Sequence, residues 1–296
     1  MTLGQTYTDK ETFFVDSCES IKIEVLHYPP ANINLNYPPI LFIHGAVIAA
    51  WAWDNFCRWF SNKEHDCYAM SFRGHGQSTK TPKKDKWWSL NEITNDVSAV
   101  TNVIIARTGY KPILVGHSLG GGVVQNYLKD NQHKVAGGVL FASFSPYSYK
   151  IGTFKFLLKL YANTPFLTIL KVIFTLEPYA ALGTPKLMKR ATFSRAFPDS
   201  MAIELQPKLE KASFVKGIFE LLKPFVDPTI IKCPIIVIGA EEDKPFGLKI
   251  IKETADAYGV GFDIIGGASH SIMLDLTWED AANVIFKRIQ EKVVKK

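Results

Sequence analysis

Five residues constrain this chain more than any others: Gly116-His117-Ser118-Leu119-Gly120, preceded by the apolar run Pro112-Ile113-Leu114-Val115 and followed by Gly121-Gly122-Val123-Val124-Gln125-Asn126-Tyr127-Leu128. The pattern predicts a strand that turns abruptly into a helix, with Ser118 at the corner. A serine held there adopts a strained backbone, which demands small residues two positions before and two after it and pushes the hydroxyl into the open. The helix starts directly behind the serine, so its unpaired N–H groups and positive dipole end face that hydroxyl. Such a corner suits charge development on a bound carbonyl. The pentapeptide alone recurs by chance in many chains, so the remaining sequence must supply its partners.

Short apolar runs alternate with helical patterns at both ends of the chain, which predicts a mostly parallel sheet covered by helices. Expected strands are Ile21 to Leu26, Pro39 to Ile43, Cys67 to Ser71, Pro112 to Val115, Val135 to Ala142, Pro234 to Gly239 and Gly261 to Ile265. Several are rich in Ile and Val, as strands buried on both faces are. Ser89-Leu90-Asn91-Glu92 is a capping box ahead of Ile93, Val97, Val100 and Ile104 on one helical face. Thr277-Trp278-Glu279-Asp280 reads as a weaker cap ahead of Val284, Ile285 and Ile289.

Between these regions the rhythm changes. From Ser145 to about Pro228, Phe, Leu and Lys dominate, as in Phe154-Lys155-Phe156-Leu157-Leu158-Lys159-Leu160-Tyr161, and Pro165, Pro178, Pro185, Pro198 and Pro207 divide the stretch into short pieces. The expected organisation is a core of residues 1–144 and 229–296 with an inserted helical lid over 145–228. Lysines and Pro165 interrupt the lid's apolar passages, so none supplies the ~20 uninterrupted residues of a membrane span. From Pro146 to Pro228 there are twelve Lys or Arg against six Asp or Glu, a surplus equal to the net +6 of the whole chain. A basic lid could meet an anionic lipid surface or an acidic substrate. No Lys/Arg-rich arm with interleaved aromatics is present, which argues against nucleic acid. The amino terminus shows no secretory signal, and the four cysteines, Cys18, Cys57, Cys67 and Cys233, have no C-x-x-C spacing. A reducing, cytoplasmic setting without a structural disulfide set or metal is expected.

A serine hydroxyl needs a base within hydrogen-bond reach and a third group to orient that base. His270 lies in the small-residue loop Gly266-Gly267-Ala268-Ser269-His270-Ser271, after the last expected strand and before the last helix. The acid should follow an earlier strand, and Pro234 to Ala240 runs into Glu241-Glu242-Asp243. Spacing does not choose among those three carboxylates. For a developing oxyanion, one N–H should come from Leu119 and a second from the loop after Ile40-Leu41-Phe42-Ile43, where Gly45 permits a tight turn and Ala46 offers its N–H. His44 is read as a brace of that turn.

Taken in order, Ile43-His44-Gly45-Ala46, Trp51-Ala52-Trp53, Phe72-Arg73-Gly74-His75-Gly76-Gln77-Ser78, Val115 to Gly121, Gly239 to Asp243 and Gly267-Ala268-Ser269-His270 resemble the ordered motifs of the α/β-hydrolase superfamily. Within it the chain is similar to the small serine esterase and lysophospholipase-like group. The resemblance implies Ser118 as nucleophile, Asp243 as acid, His270 as base, Ala46 and Leu119 as oxyanion donors, and no cofactor. It departs from the family at Ala268-Ser269-His270, where Gly-Gly-His or Gly-Cys-His is commoner, and the lid matches no known pattern. Superfamily dehalogenases and epoxide hydrolases carry an aspartate at the elbow, and Ser118 argues against both. The expected function is hydrolysis of carboxylic esters of small molecules, with Trp51 and Phe144 lining a pocket for an apolar acyl group such as that of a lysophospholipid or monoacylglycerol. Acyl transfer, thioester cleavage or C–C hydrolysis would use the same triad. A non-catalytic receptor on this fold is the remaining alternative.

Overall fold

In the computed structural model, residues 10–18, 20–32, 36–81, 84–85, 87–147, 178–211 and 214–294 are described. The expected lid passage from Phe154 to Tyr161 lies outside them. Eight strands form one sheet: β1 (Glu11–Cys18), β2 (Ile21–Tyr28), β3 (Ile40–Ile43), β4 (Cys67–Met70), β5 (Ile113–His117), β6 (Gly137–Phe141), β7 (Ile235–Ala240) and β8 (Phe262–Ile265), in the order β1-β2-β4-β3-β5-β6-β7-β8. The β1–β2 and β2–β4 pairs are antiparallel and the others parallel. β1 was not among the expected strands. Most of its side chains are exposed or half-buried, and only Val15 is buried, so it lacks the Ile/Val-rich run that marks a strand covered on both faces.

Side-chain alternation divides the core in two. Leu41 and Ile43 of β3 and Leu114 of β5 join one cluster, whereas Ile40 and Phe42 of β3 and Ile113 and Val115 of β5 join the other. The first cluster is closed by α2 (Leu90–Thr108), α3 (Leu119–Asn131) and α7 (Gly247–Tyr258), the second by α1 (Asp54–Ser61) and α8 (Trp278–Ile289). Among the described residues, three short helices, α4 (Pro185–Thr192), α5 (Asp199–Leu205) and α6 (Val215–Leu221), follow β6 and precede β7. Met188, Phe193, Phe197 and Ala202 from this excursion make a small core of their own. No helix among the described residues is long and apolar enough to cross a membrane.

Helix ends follow local chemistry. The Ser89 hydroxyl accepts from Glu92 N–H at 3.2 Å while the Glu92 carboxylate accepts from Ser89 N–H at 2.8 Å, so the expected capping box is complete. The cap expected at Thr277 does not form. Thr277 has φ −93° and ψ 15°, outside the extended region an N-cap side chain requires, and its buried Oγ1 has no partner among the described residues. A backbone turn, Trp278 N–H to Asp275 O at 3.2 Å, leads into α8 instead.

Register brings the functional loops together. Ile43 pairs with Gly116, and His117 with Phe141, so the loop after β3 and the turn after β5 leave the sheet side by side. Ala240 pairs with Ile265, so the loops after β7 and β8 also emerge together. All four open at the carboxyl ends of parallel strands, where α/β sheets hold their ligands.

Candidate active site

Ser118 has φ 53° and ψ −116°, a conformation costly for a residue with a side chain. The backbone around it explains the two glycines. A Cβ on Gly116 would lie 2.5 Å from Gly120 O, and one on Gly120 would collide with Ile43 O and His44 O. Neither set of atoms can swing away. The chain turns directly into α3, whose third and fourth N–H groups already bond Ser118 O, from Gly121 at 3.1 Å and Gly122 at 3.3 Å. Leu119 N–H has no acceptor among the described residues.

The loop after β3 lies against this turn. A Cβ on Gly45 would come 2.7 Å from His117 Nδ1 and 3.1 Å from Ser118 Cβ, so glycine is needed for close approach. This corrects the expected reason, since the positive φ of the turn belongs to Val47, at 60°, and not to Gly45. Ala46 N–H, like that of Leu119, has no acceptor among the described residues. His44 braces the loop. It donates from Nδ1 to Gly45 O at 2.7 Å and accepts Phe72 N–H at Nε2, 2.9 Å away. Burial, with the neighbouring His75, holds it well below the usual imidazole range, so it stays neutral and keeps this pair of roles.

His270 Nε2 lies 3.0 Å from Ser118 Oγ, and its Nδ1 lies 3.0 Å from Asp243 Oδ2. A carboxylate only accepts, so the proton sits on Nδ1 and Nε2 is left to accept from the serine hydroxyl. All three side chains are buried. Asp243 also accepts Phe246 N–H through Oδ1 at 2.9 Å, which fixes its plane. The two carboxylates beside it are occupied elsewhere: Glu242 accepts Arg195 N–H at 3.1 Å and Glu241 accepts Gly267 N–H at 2.8 Å. Geometry thus separates three residues that spacing could not.

His117, inside the pentapeptide, donates from Nε2 to the carbonyl of His270 at 2.8 Å. Burial keeps it neutral, with the nearby His270 adding to the same effect. This contact was not read from the sequence, because it joins residues 153 positions apart and leaves no local pattern.

Of the expected pocket residues, Phe144 is buried with its ring 4.8 Å from that of Phe246, which lies 5.2 Å from the His270 ring. Trp51 is partly buried, with Lys208 Nζ 5.8 Å from its ring centroid. Among the described residues, no cluster of His, Cys, Asp or Glu could hold a metal ion.

A mostly parallel sheet clothed by helices, with a strained serine turn after its central strand and an imidazole loop at its edge, defines an α/β-hydrolase. The family is specific: residues 38–276 match the serine aminopeptidase S33 family of these hydrolases, and the chain belongs to it. Among individual relatives it is 30% identical over 116 residues to a non-heme chloroperoxidase of Streptomyces lividans, covering 39% of this chain and 40% of that one. It is 29% identical over 156 residues to protein phosphatase methylesterase 1 of Debaryomyces hansenii, covering 46% and 38% respectively. The chain therefore spans about two fifths of the length of these relatives. Similar solved structures include a serine hydrolase involved in carbazole degradation, with TM-score 0.70, 16% identity and coverage of 95% of this chain and 99% of that one. A membrane phospholipase A described as a bacterial virulence factor has TM-score 0.69 and 17% identity, covering 97% and 87%. At such identities these likenesses speak to the fold alone.

Proposed function

We propose that this protein is a serine hydrolase that cleaves carboxylic esters through an acyl-serine intermediate. The observation that carries the reading is the relay in which Ser118, His270 and Asp243 follow one another at 3.0 Å and 3.0 Å. Ser118 Oγ attacks the ester carbonyl as His270 Nε2 takes its proton. The resulting imidazolium is stabilised by Asp243, and the same proton passes to the leaving alcohol. Water then enters by the reverse route and frees the acid. The N–H groups of Leu119 and Ala46, which have no acceptor among the described residues, are suited to hold the tetrahedral oxyanion, and losing one such donor costs ~3 kcal/mol of barrier.

Residues 145–228 act as the cap over this site, with 1–144 and 229–296 as the catalytic core. The Phe- and Leu-rich cap, with Trp51 and Phe144, favours a small-molecule ester with an apolar acyl group, of the lysophospholipid or monoacylglycerol kind. The cap's basic surplus suits peripheral contact with anionic lipid. The four free cysteines are in keeping with work in the cytoplasm. The test is ester turnover by wild type and Ser118→Ala across acyl chains of graded length. Loss of nearly all turnover in the variant and a preference for longer chains are expected. Full turnover by Ser118→Ala would remove the nucleophile, and best turnover of acetyl esters would remove the lipid assignment.

A further inference from the structure

α4 ends at Thr192, where Phe193 turns to an extended conformation with φ −115° and ψ 162°. A helix's last carbonyls have no partner within it, and the one at Thr192 is used across the molecule. Thr192 O accepts Ser271 N–H at 2.9 Å and lies 2.8 Å from Ser269 Oγ. These two residues flank His270, so the backbone after the imidazole is tied to one carbonyl of α4 and the side chain before it lies against the same carbonyl. The buried Asp275 completes the tie. Its carboxylate takes the Ser269 hydroxyl, Ser194 N–H at 3.0 Å, the Ser194 hydroxyl at 2.8 Å and Leu276 N–H at 2.8 Å. A buried carboxylate is costly unless its lone pairs are filled, and here three of the four donors come from the histidine loop and the segment after α4. That segment and the end of α4 also reach the acid loop, through Arg195 N–H to Glu242 and through Lys244 Nζ to Phe193 O at 3.2 Å and Arg190 O at 2.7 Å.

We infer that Asp275 is a positioning residue for His270. With Ser194 and Thr192 it clamps the Ser269 side chain and the Ser271 backbone, so that docking of the segment after α4 and alignment of the imidazole on Ser118 are one event. It touches no reacting atom. The inference rests on the proposed role of His270 as base. Misplacement of a reacting group by 1 Å costs about 100-fold in rate, which sets the scale expected here.

The experiment measures kcat and KM on a short soluble ester for wild type, Asp275→Asn, Ser194→Ala and the double variant, with Ser118→Ala as the control and thermal unfolding of each. Expected are a fall in kcat of about tenfold to about 100-fold for Asp275→Asn and a smaller fall for Ser194→Ala, which keeps its N–H on the carboxylate. KM should stay near wild type, and the double variant should be no worse than Asp275→Asn alone. Should Asp275→Asn not fold, Ser269→Ala breaks the same contact and is expected to give the same split. Wild-type kcat in the folded variants, kcat and KM moving together, or additive losses would overturn the positioning role. If Ser118→Ala is inactive while these variants turn over fully, the clamp alone fails; if Ser118→Ala is active, the reading of the site fails.

Discussion

Two kinds of constraint hold the residues of the site. Ser118 is fixed by backbone strain that its glycine neighbours make possible, whereas Asp243 is fixed by hydrogen bonds to Phe246 N–H and His270. The strain implies that Gly120→Ala weakens the fold directly, because its Cβ would meet two backbone carbonyls. A loss of folded stability of ~1–3 kcal/mol, read by denaturant unfolding, is expected; wild-type stability would contradict it. The hydrogen bonds imply that Asp243→Asn, which disturbs the tautomer of His270, lowers kcat by about 10⁴-fold. Glu241→Gln, whose amide oxygen still accepts from Gly267 N–H, should leave kcat nearly unchanged, and comparable losses in both variants would contradict the assignment. Ser118 was legible because its requirement is local, a corner with fixed glycines. Choosing Asp243 over Glu242 was not, since it depends on where a loop 27 residues away sets its imidazole; resemblance supplied what spacing lacked. The roles of His117, Ser194 and Asp275 were invisible for the same reason.

Elements obey their local signals where the signal is complete. The Ser89–Glu92 box sets the start of α2, and Ser89→Ala should cost ~1 kcal/mol in denaturant unfolding; no loss would mean that packing alone holds that end. The Thr277 pattern looked similar, yet the backbone turn from Asp275 had already fixed the entrance to α8 in a conformation that the side chain cannot cap. β1 escaped notice because an edge strand with one buried side chain carries little apolar signal. The connection from α1 to β4 carries a titrating element. His65 is buried, donates from Nδ1 to Pro38 O at 2.9 Å and stacks on Tyr37 at 5.0 Å, and burial pushes it down to about 4. In the unfolded chain it titrates near about 6.5, so between those values the unfolded state binds the extra proton. Its contribution is complete above about 6.5 and shrinks as pH falls toward about 4, a loss of about 3 kcal/mol. His44 and His117, also lowered by burial, act in the same direction. Urea unfolding between about pH 7 and about pH 4 should show this decline, with a shallower slope in His65→Gln. An unchanged slope would show that His65 is not the source.

At the scale of the whole molecule, the sheet does most of the work of assembly. Parallel pairing sets the carboxyl ends of β3, β5, β7 and β8 along one edge, and four loops distant in sequence meet there without any of them encoding the others. Short runs rich in Ile and Val make that sheet legible in the sequence. The excursion between β6 and β7 was legible only as a change of rhythm, because its short helices bury a small core of their own and dock through backbone atoms, such as Thr192 O and Arg195 N–H, whose identity no side chain announces. Ser118 is expected to become covalently acylated during turnover. The most direct measurement is reaction with a fluorophosphonate followed by mass spectrometry of the labelled peptide. A single adduct on Ser118, absent from Ser118→Ala and strongly slowed in His270→Ala, is the expected result, whereas an adduct elsewhere, or undiminished labelling of Ser118→Ala, would contradict it.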